Sequence, residues 1–151
     1  MARLTFIHMK RLNYIFILVA FIVFGCESGF KTNRLGLEYK FIVKTTNKAK
    51  PEKGDVLVLK FICTNEKDQL INASDIFKIR FGKLLGEGSI EDGLALMHEG
   101  DSAIFKINAL TYFSKTLNQE LPDSLSADAN LVFYVKLYEV IKAEDHFKQQ
   151  K

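Results

Sequence analysis

The feature that most constrains this chain is an apolar–polar alternation that returns in segment after segment. Across Leu131 to Ile141, the side chains of Leu131, Phe133, Val135, Leu137 and Glu139 fall on one side, and those of Val132, Tyr134, Lys136 and Tyr138 on the other. A period of two marks a strand with one face buried. Leu35 to Lys44 repeats it, with Leu37, Tyr39, Phe41 and Val43 opposing Glu38, Lys40 and Lys44. Ala103, Phe105 and Ile107 alternate with Ser102, Ile104 and Lys106. Val56 to Thr64 is apolar throughout and rich in β-formers, as a more central strand is. Leu70-Ile71 and Ile76 to Phe81 offer two further strand segments. Pro51 and Gly54 mark a loop over Asn47 to Asp55, and polar Asn65 to Gln69 turns the chain.

One stretch has a different period. Ile90, Leu94 and Met97 fall at i, i+4 and i+7, the stripe of a helical face. Ser89, followed three residues later by Asp92, matches a capping pattern. The spacing predicts a helix of two to three turns over Ser89 to Met97, ended by Gly100 and carrying Gly93 at some cost in propensity. Ala109 to Asn130 is polar and contains Pro122, and is expected to be mostly loop. Several antiparallel strands and one helix make an α+β domain, in which the helix covers one face of the sheet.

The N-terminus carries a targeting pattern. Arg3, Lys10 and Arg11 precede an apolar run from Tyr14 to Phe24, then Gly25-Cys26. This is the layout of a secretory signal. A helix of about 12 residues rises roughly 18 Å, short of the ~30 Å hydrocarbon core. Val23-Phe24-Gly25-Cys26 resembles a bacterial lipobox, in which the cysteine is lipidated and becomes the first residue; Phe24 is bulkier than usual there. An ordinary signal with an incidental cysteine is the other reading. The expected division is a lipoprotein signal at 1–25, a tether at 26–35, a domain at 36–142 and a polar, frayed tail at 143–151.

Charge follows from this division. Three of the 21 basic residues lie in the leader and none of the 18 acidic ones does, so residues 26–151 balance at 18 against 18. The basic sequence pI, near 8.8, therefore belongs to the leader and is no nucleic-acid footprint. With Cys26 lipidated, Cys63 has no disulfide partner and reads as a small buried hydrophobe. His98 is expected to decorate the helix end.

Four motifs, in order, resemble the FKBP-type prolyl isomerases. Gly36-Leu37-Glu38-Tyr39-Lys40 is similar to the family's Gly-Leu-x-Tyr-Lys opening. Pro51-Glu52-Lys53-Gly54-Asp55 before Val56-Leu57-Val58 looks like its Pro-x-x-Gly-Asp turn into a strand. Glu91-Asp92-Gly93-Leu94-Ala95-Leu96-Met97-His98-Glu99-Gly100-Asp101 resembles its helix and the turn that leaves it. Leu131-Val132-Phe133-Tyr134-Val135-Lys136-Leu137 resembles its closing strand. The resemblance runs from Gly36 to Ile141. It implies an antiparallel half-barrel sheet wrapped around one short helix, with an aromatic hollow between them.

The resemblance assigns the hollow residue by residue. The catalytic lining it implies is Phe61, Asn72, Phe77, Ile90, Phe113 and Phe133, with Ile71, Gly86, Glu87, Tyr112 and Leu125 as substrate contacts. Phe61 stands where the family usually has Tyr, Asn72 where it has Asp, and Ile90 where many members have the floor Trp. A small register shift would bring Leu84-Leu85 to the place of Gly86-Glu87. Phe61, Phe77 and Phe133 also suit a strand core, and Asn72 a turn. Glu87, Glu91 and Asp92 could complement a helix N-terminus or form a carboxylate cluster; no metal and no cofactor is expected. The resemblance implies three functions. One is a prolyl isomerase, tethered by a lipid on Cys26 to the outer membrane, facing the periplasm and acting on proline-containing segments of envelope proteins. Another is a non-catalytic chaperone or binding lipoprotein. The third is a structural lipoprotein using the domain as a partner surface. Lipoproteins of this family include a type associated with gliding machinery.

Overall fold

The computed structural model describes residues 29–82 and 84–148. The leader and Cys26 lie outside the described residues. Six strands form one antiparallel sheet: β1 (Lys31–Thr32), β2 (Glu38–Val43), β3 (Val56–Asn65), β4 (Leu70–Arg80), β5 (Ser102–Asn108) and β6 (Asn130–Ile141). Their spatial order is β1-β2-β5-β6-β3-β4. Helix α1 (Ile90–Leu94) lies between β4 and β5 in sequence. A helical turn, α2 (Ala109–Thr111), runs into a π-helical turn over Tyr112–Thr116, and α3 (Ala143–Lys148) follows β6. No described helix is long and apolar enough to cross a membrane.

The alternation produces the core. Leu131, Phe133, Val135 and Leu137 of β6 are buried, as are Ala103, Phe105 and Ile107 of β5. They meet Leu57, Leu59 and Cys63 of β3, and Leu37 and Met97 belong to the same buried cluster. Cys63 is fully buried, and burial pushes its thiol up to about 12.

A bulge in β2 between Phe41 and Val43 leaves Val43, expected on the covered side with Phe41, exposed, and two further irregularities change the expected phase. Leu59 pairs with Leu137 but Val58 pairs with Glu139, so Tyr138 is an extra residue in β6. A bulge of this kind reverses the face presented beyond it. Glu139, expected on the buried side, is therefore exposed, and Val140 is buried instead. In β4 the two expected segments are one continuous strand. Leu59 pairs with Phe77 and Phe61 with Ser74, so a further bulge absorbs the polar interruption between them.

Helix α1 begins as expected. Ser89 accepts from the Asp92 amide at 3.3 Å, and the Asp92 carboxylate accepts from the Ser89 amide at 3.0 Å. Its end comes early. Ala95 caps it, and the chain then tightens through Leu96 N–H to Gly93 O at 3.0 Å and Met97 N–H to Leu94 O at 3.1 Å. Gly100, expected to end the helix, lies beyond these turns at φ +88 and donates to Leu137 O at 2.8 Å. Gly93 has a packing reason: a Cβ there would lie 2.9 Å from the Phe105 ring.

Three segments expected to be irregular carry structure. Lys31 and Thr32, inside the expected tether, pair with Tyr39 and Glu38. The expected loop after Ala109 holds α2 and the π-helical turn, and the expected tail begins as α3. Asp55 ties the start of α3 down, accepting from Ala143 N–H at 3.1 Å and Lys142 Nζ at 3.0 Å. Burial alone would raise the Asp55 carboxyl, but these donors and the Glu52 amide together hold it below its ordinary value.

Candidate functional site: an aromatic hollow

Helix α1 is too short to cover the whole concave face. Toward β3 and β4 it leaves a cavity of about 360 Å³. Its sheet wall is Leu59 and Phe61 from β3, Asn72, Phe77 and Ile79 from β4, and Phe133 and Val135 from β6. Ile90, Glu91 and Leu94 of α1 form the floor and one side, and Tyr112, Thr116 and Leu117 close the other.

One pair of rings is set edge to face and another is tilted. Phe61 and Phe77 have centroids 5.5 Å apart at 81°, and Tyr112 lies 4.9 Å from Phe133 at 58°. Such arrangements match ring edges to ring faces and fix the walls without filling the space between them. Phe77 keeps 41% of its surface exposed, whereas Phe133 keeps 3%. Burial, with Glu91 also near, raises the Tyr112 phenol above its ordinary value. Thr116 Oγ1 donates to Glu91 Oε2 at 3.1 Å and so joins the π-helical turn to α1.

Of the residues assigned by the resemblance, the hollow brings together Phe61, Asn72, Phe77, Ile90, Phe133 and Tyr112. Phe113, Ile71, Gly86, Glu87 and Leu125 do not line it. Phe113 and Leu125 pack against the core instead. A π turn is wider by one residue than an α turn, and here it is Tyr112, one place before Phe113, that faces the cavity. Gly86, Glu87 and Gly88 form a left-handed turn, at φ +74, +59 and +74, leading into α1. Leu84 and Leu85, the alternative by register shift, are exposed and do not line the hollow either.

Leu59, Ile79 and Val135 were missed, although they share strand phase with Phe61, Phe77 and Phe133, and the alternation could have found them. Nothing in the sequence pattern marks Thr116 or Leu117. The three carboxylates take separate partners: Asp92 caps α1, Glu91 accepts from Thr116, and Glu87 lies 3.7 Å from Lys115. Among the described residues, no group of three His, Cys, Asp or Glu side chains is placed to hold a metal ion. His98, past the end of α1, lies 3.8 Å from Asp101.

A curled antiparallel sheet over one short helix, with an aromatic hollow between them, is the FKBP-like α+β fold. Solved structures agree. FkpA from Escherichia coli superimposes with a TM-score of 0.60 at 22% identity, over 80% of this chain and 55% of that one. A peptidyl-prolyl cis-trans isomerase from Pseudomonas syringae pv. tomato superimposes with a TM-score of 0.62 at 16% identity, over 78% of this chain and 84% of that one. The chain thus spans little more than half of FkpA, and at these identities the likeness is one of fold. The sequence matches no protein-family model and no curated protein.

Proposed function

We propose that this chain is an FKBP-type peptidyl-prolyl cis-trans isomerase of the cell envelope. In this reading it is anchored by lipid on Cys26 to the outer membrane, faces the periplasm, and acts on proline-containing segments of envelope proteins. The observation that carries the reading is the open apolar hollow ringed by Phe61, Phe77, Tyr112 and Phe133 over Ile90.

The chemistry suits such a place. Rotation about an X–Pro bond meets a barrier of about 18–20 kcal/mol because the planar amide is conjugated. The twisted amide has lost that conjugation and is less dipolar. A dry, apolar wall therefore favours the twisted form relative to water, and only interactions stronger in the transition state accelerate the step. No nucleophile, proton relay or metal is called for. The cavity, about 360 Å³, is in the range of small-ligand pockets and has room for a prolyl ring and its neighbour.

A second reading is favoured by two residues in the wall. Phe61 carries no hydroxyl, and Asn72 presents an amide where the resemblance implies a carboxylate. A hollow that keeps its walls without these polar groups suits a chaperone or binding module that holds prolyl segments without turning them over.

A protease-coupled assay with Xaa-Pro peptides, on the chain from Glu27 to Lys151, separates the two. The isomerase reading expects rates above buffer, with kcat/KM lowered ten-fold or more by Phe77→Ala. Phe77 suits this test because it is exposed; truncating Phe133 would unsettle the core as well. Rates equal to buffer across several residues before Pro, with peptide binding retained, would overturn the isomerase in favour of the binding module.

A further inference from the structure

The sheet has a second apolar surface, on the side away from α1. Ile104 and Lys106 on β5 and Tyr134 and Lys136 on β6 alternate there with buried residues, and Lys40 and Ile42 of β2 extend the face. Register gathers them: Lys40 faces Ile104, Ile104 faces Tyr134, and Tyr134 faces Ile62. At the centre is a shallow depression of about 250 Å³, walled by Ile42, Ile62, Ile104 and Tyr134 and flanked by Lys60 and Lys136. Ile42 is 58% exposed and Tyr134 40%.

The charge on this face is mostly basic. Glu38 pairs with Lys106 and Asp75 with Lys60, and the β6 bulge turns Glu139 outward at one end of the face, where it adds one negative charge. Among the described residues, Lys40 and Lys136 have no carboxylate partner; Lys136 donates to Gly100 O at 2.8 Å. Lys60 and Lys136 stand directly opposite each other on neighbouring strands. Like charges so placed repel, and an anionic surface laid over them removes that cost.

The chain reaches β1 across this same face. Lys106 Nζ sits 4.5 Å from the centre of the Phe30 ring, and a Cβ on Gly29 would lie 3.1 Å from Lys40 Nζ. Cys26 stands only three positions before Gly29, and three residues span about 10 Å at full extension. A lipid on Cys26 therefore holds this face, rather than the hollow, next to the bilayer.

We infer that the outer face of the sheet is a membrane-docking surface, seated on anionic phospholipid with the hollow turned toward the aqueous side. The inference rests on the lipid anchor of the proposed function. Ile42, Ile62 and Ile104 meet the acyl boundary, Tyr134 sits at the level where amphipathic rings collect, and the lysines reach headgroup phosphates along their apolar stems. Client segments then approach the hollow from solution, unobstructed by the bilayer.

The chain has no Trp, so one introduced Trp is an unambiguous reporter. Full chains carrying Tyr134→Trp or, at the mouth of the hollow, Leu117→Trp are placed on phosphatidylglycerol vesicles with brominated acyl chains. Tyr134→Trp should lose more than half of its fluorescence and Leu117→Trp almost none. Adding Lys40→Glu should weaken binding of the unacylated Cys26→Ser chain to these vesicles about five-fold or more. Equal quenching at the two positions, or stronger quenching at Leu117→Trp, overturns the orientation. A concentration-dependent blue shift of Tyr134→Trp in lipid-free buffer assigns the face to a second copy and overturns it too. The anchor is tested apart from the face, by acyl labelling of the wild-type chain in cells. An unacylated chain, coupled to maleimide phospholipid through Cys26 while Cys63 stays buried, still reports on the face. No acyl label with quenching retained overturns the anchor and leaves the docking face standing.

Discussion

Two halves of one concave face behave differently although the same alternation builds both. Over β5 and the start of β6 the face is closed: Phe105, Ile107 and Leu131 are at most 1% exposed. From Phe61 of β3 across β4 it is open, with Phe77 exposed and Phe61 and Ile79 half-buried. The residues are equally apolar, so hydrophobicity does not separate the halves. Cover does. Gly93 lets α1 settle onto Phe105 more closely than any side chain would allow, and five helical residues, Ile90–Leu94, leave Phe77 and Ile79 of β4 uncovered. A site arises where a strand pattern asks for burial and the covering element stops short.

The sharpest way to break this comparison is to cut away Phe105. Phe105→Ala removes a fully buried ring from under α1, and such truncations cost about 3–5 kcal/mol. Urea unfolding should show this as a lower midpoint with an unchanged slope. A loss below about 1.5 kcal/mol would mean that α1 sinks into the space, and that the closed half is no better packed than the open one.

Next in size is the polar anchor at the far end of α1. Asp101 is fully buried. It accepts from Thr45 Oγ1 at 2.8 Å, His98 N–H at 2.8 Å and Lys44 Nζ at 3.2 Å, and also from the Thr45 amide. Burial alone would raise its carboxyl, but these donors outweigh it and hold it below the ordinary 3.8. A depressed folded-state value means stabilisation that is complete above the unfolded value and lost as pH falls through the folded one. Asp101→Asn should therefore cost about 1–3 kcal/mol at pH 7, because one buried donor loses its acceptor. The gap from wild type should shrink as the pH drops below about 4. Thermal melts at both pH values check this, and a constant gap would show that the charge plays no part.

These differences explain what could be read from the chain beforehand. Strand phase is written in β5 and β6 because each buries one face, whereas β2 has no buried residue and a bulge leaves Val43, expected on the covered side, exposed; the Ser89–Asp92 box marks the start of α1 without ambiguity. The bulges at Tyr138 and between Phe61 and Phe77 were not legible. An extra residue has no sequence signature of its own; pairing with the neighbouring strand reveals it. Half of the hollow was legible. Phe61, Phe77, Phe133, Ile90 and Tyr112 were named through the resemblance, whereas strand position alone reads the three phenylalanines as core. That Tyr112 lines the hollow and its neighbour Phe113 does not was not legible, because the π-helical turn there has no marker in composition. Lys31 and Thr32 are too few to show any period, so β1 was hidden as well.

Phe77→Ala is the open half's counterpart to Phe105→Ala, and the pair measures how far cover matters. Its ring is already partly in water and touches Phe61 edge to face. Losing that pair costs about 0.5–1.5 kcal/mol, so the domain should remain folded with a midpoint only slightly lowered. If the two truncations destabilise equally, the hollow closes around Phe77 in solution and the contrast between the halves disappears.

The smallest effect should run in the opposite direction, at the rim. Glu87 lies in the left-handed region at φ +59, between two glycines that adopt it freely. For a residue with a Cβ this conformation costs about 1–2 kcal/mol, and glycine recovers part of that while losing more chain entropy on folding. The Glu87 carboxylate contributes little in return, because its contact with Lys115 is 3.7 Å long and both side chains are more than half exposed. Glu87→Gly should therefore stabilise the domain by about 0.5–1 kcal/mol, read as a small rise in the urea midpoint. The closed half offers no comparable gain, since its one positive-φ neighbour past α1 is already Gly100. A loss of stability on Glu87→Gly would show that the Lys115 contact holds the π turn against α1, and that the open half is braced by charge where the closed half is braced by packing.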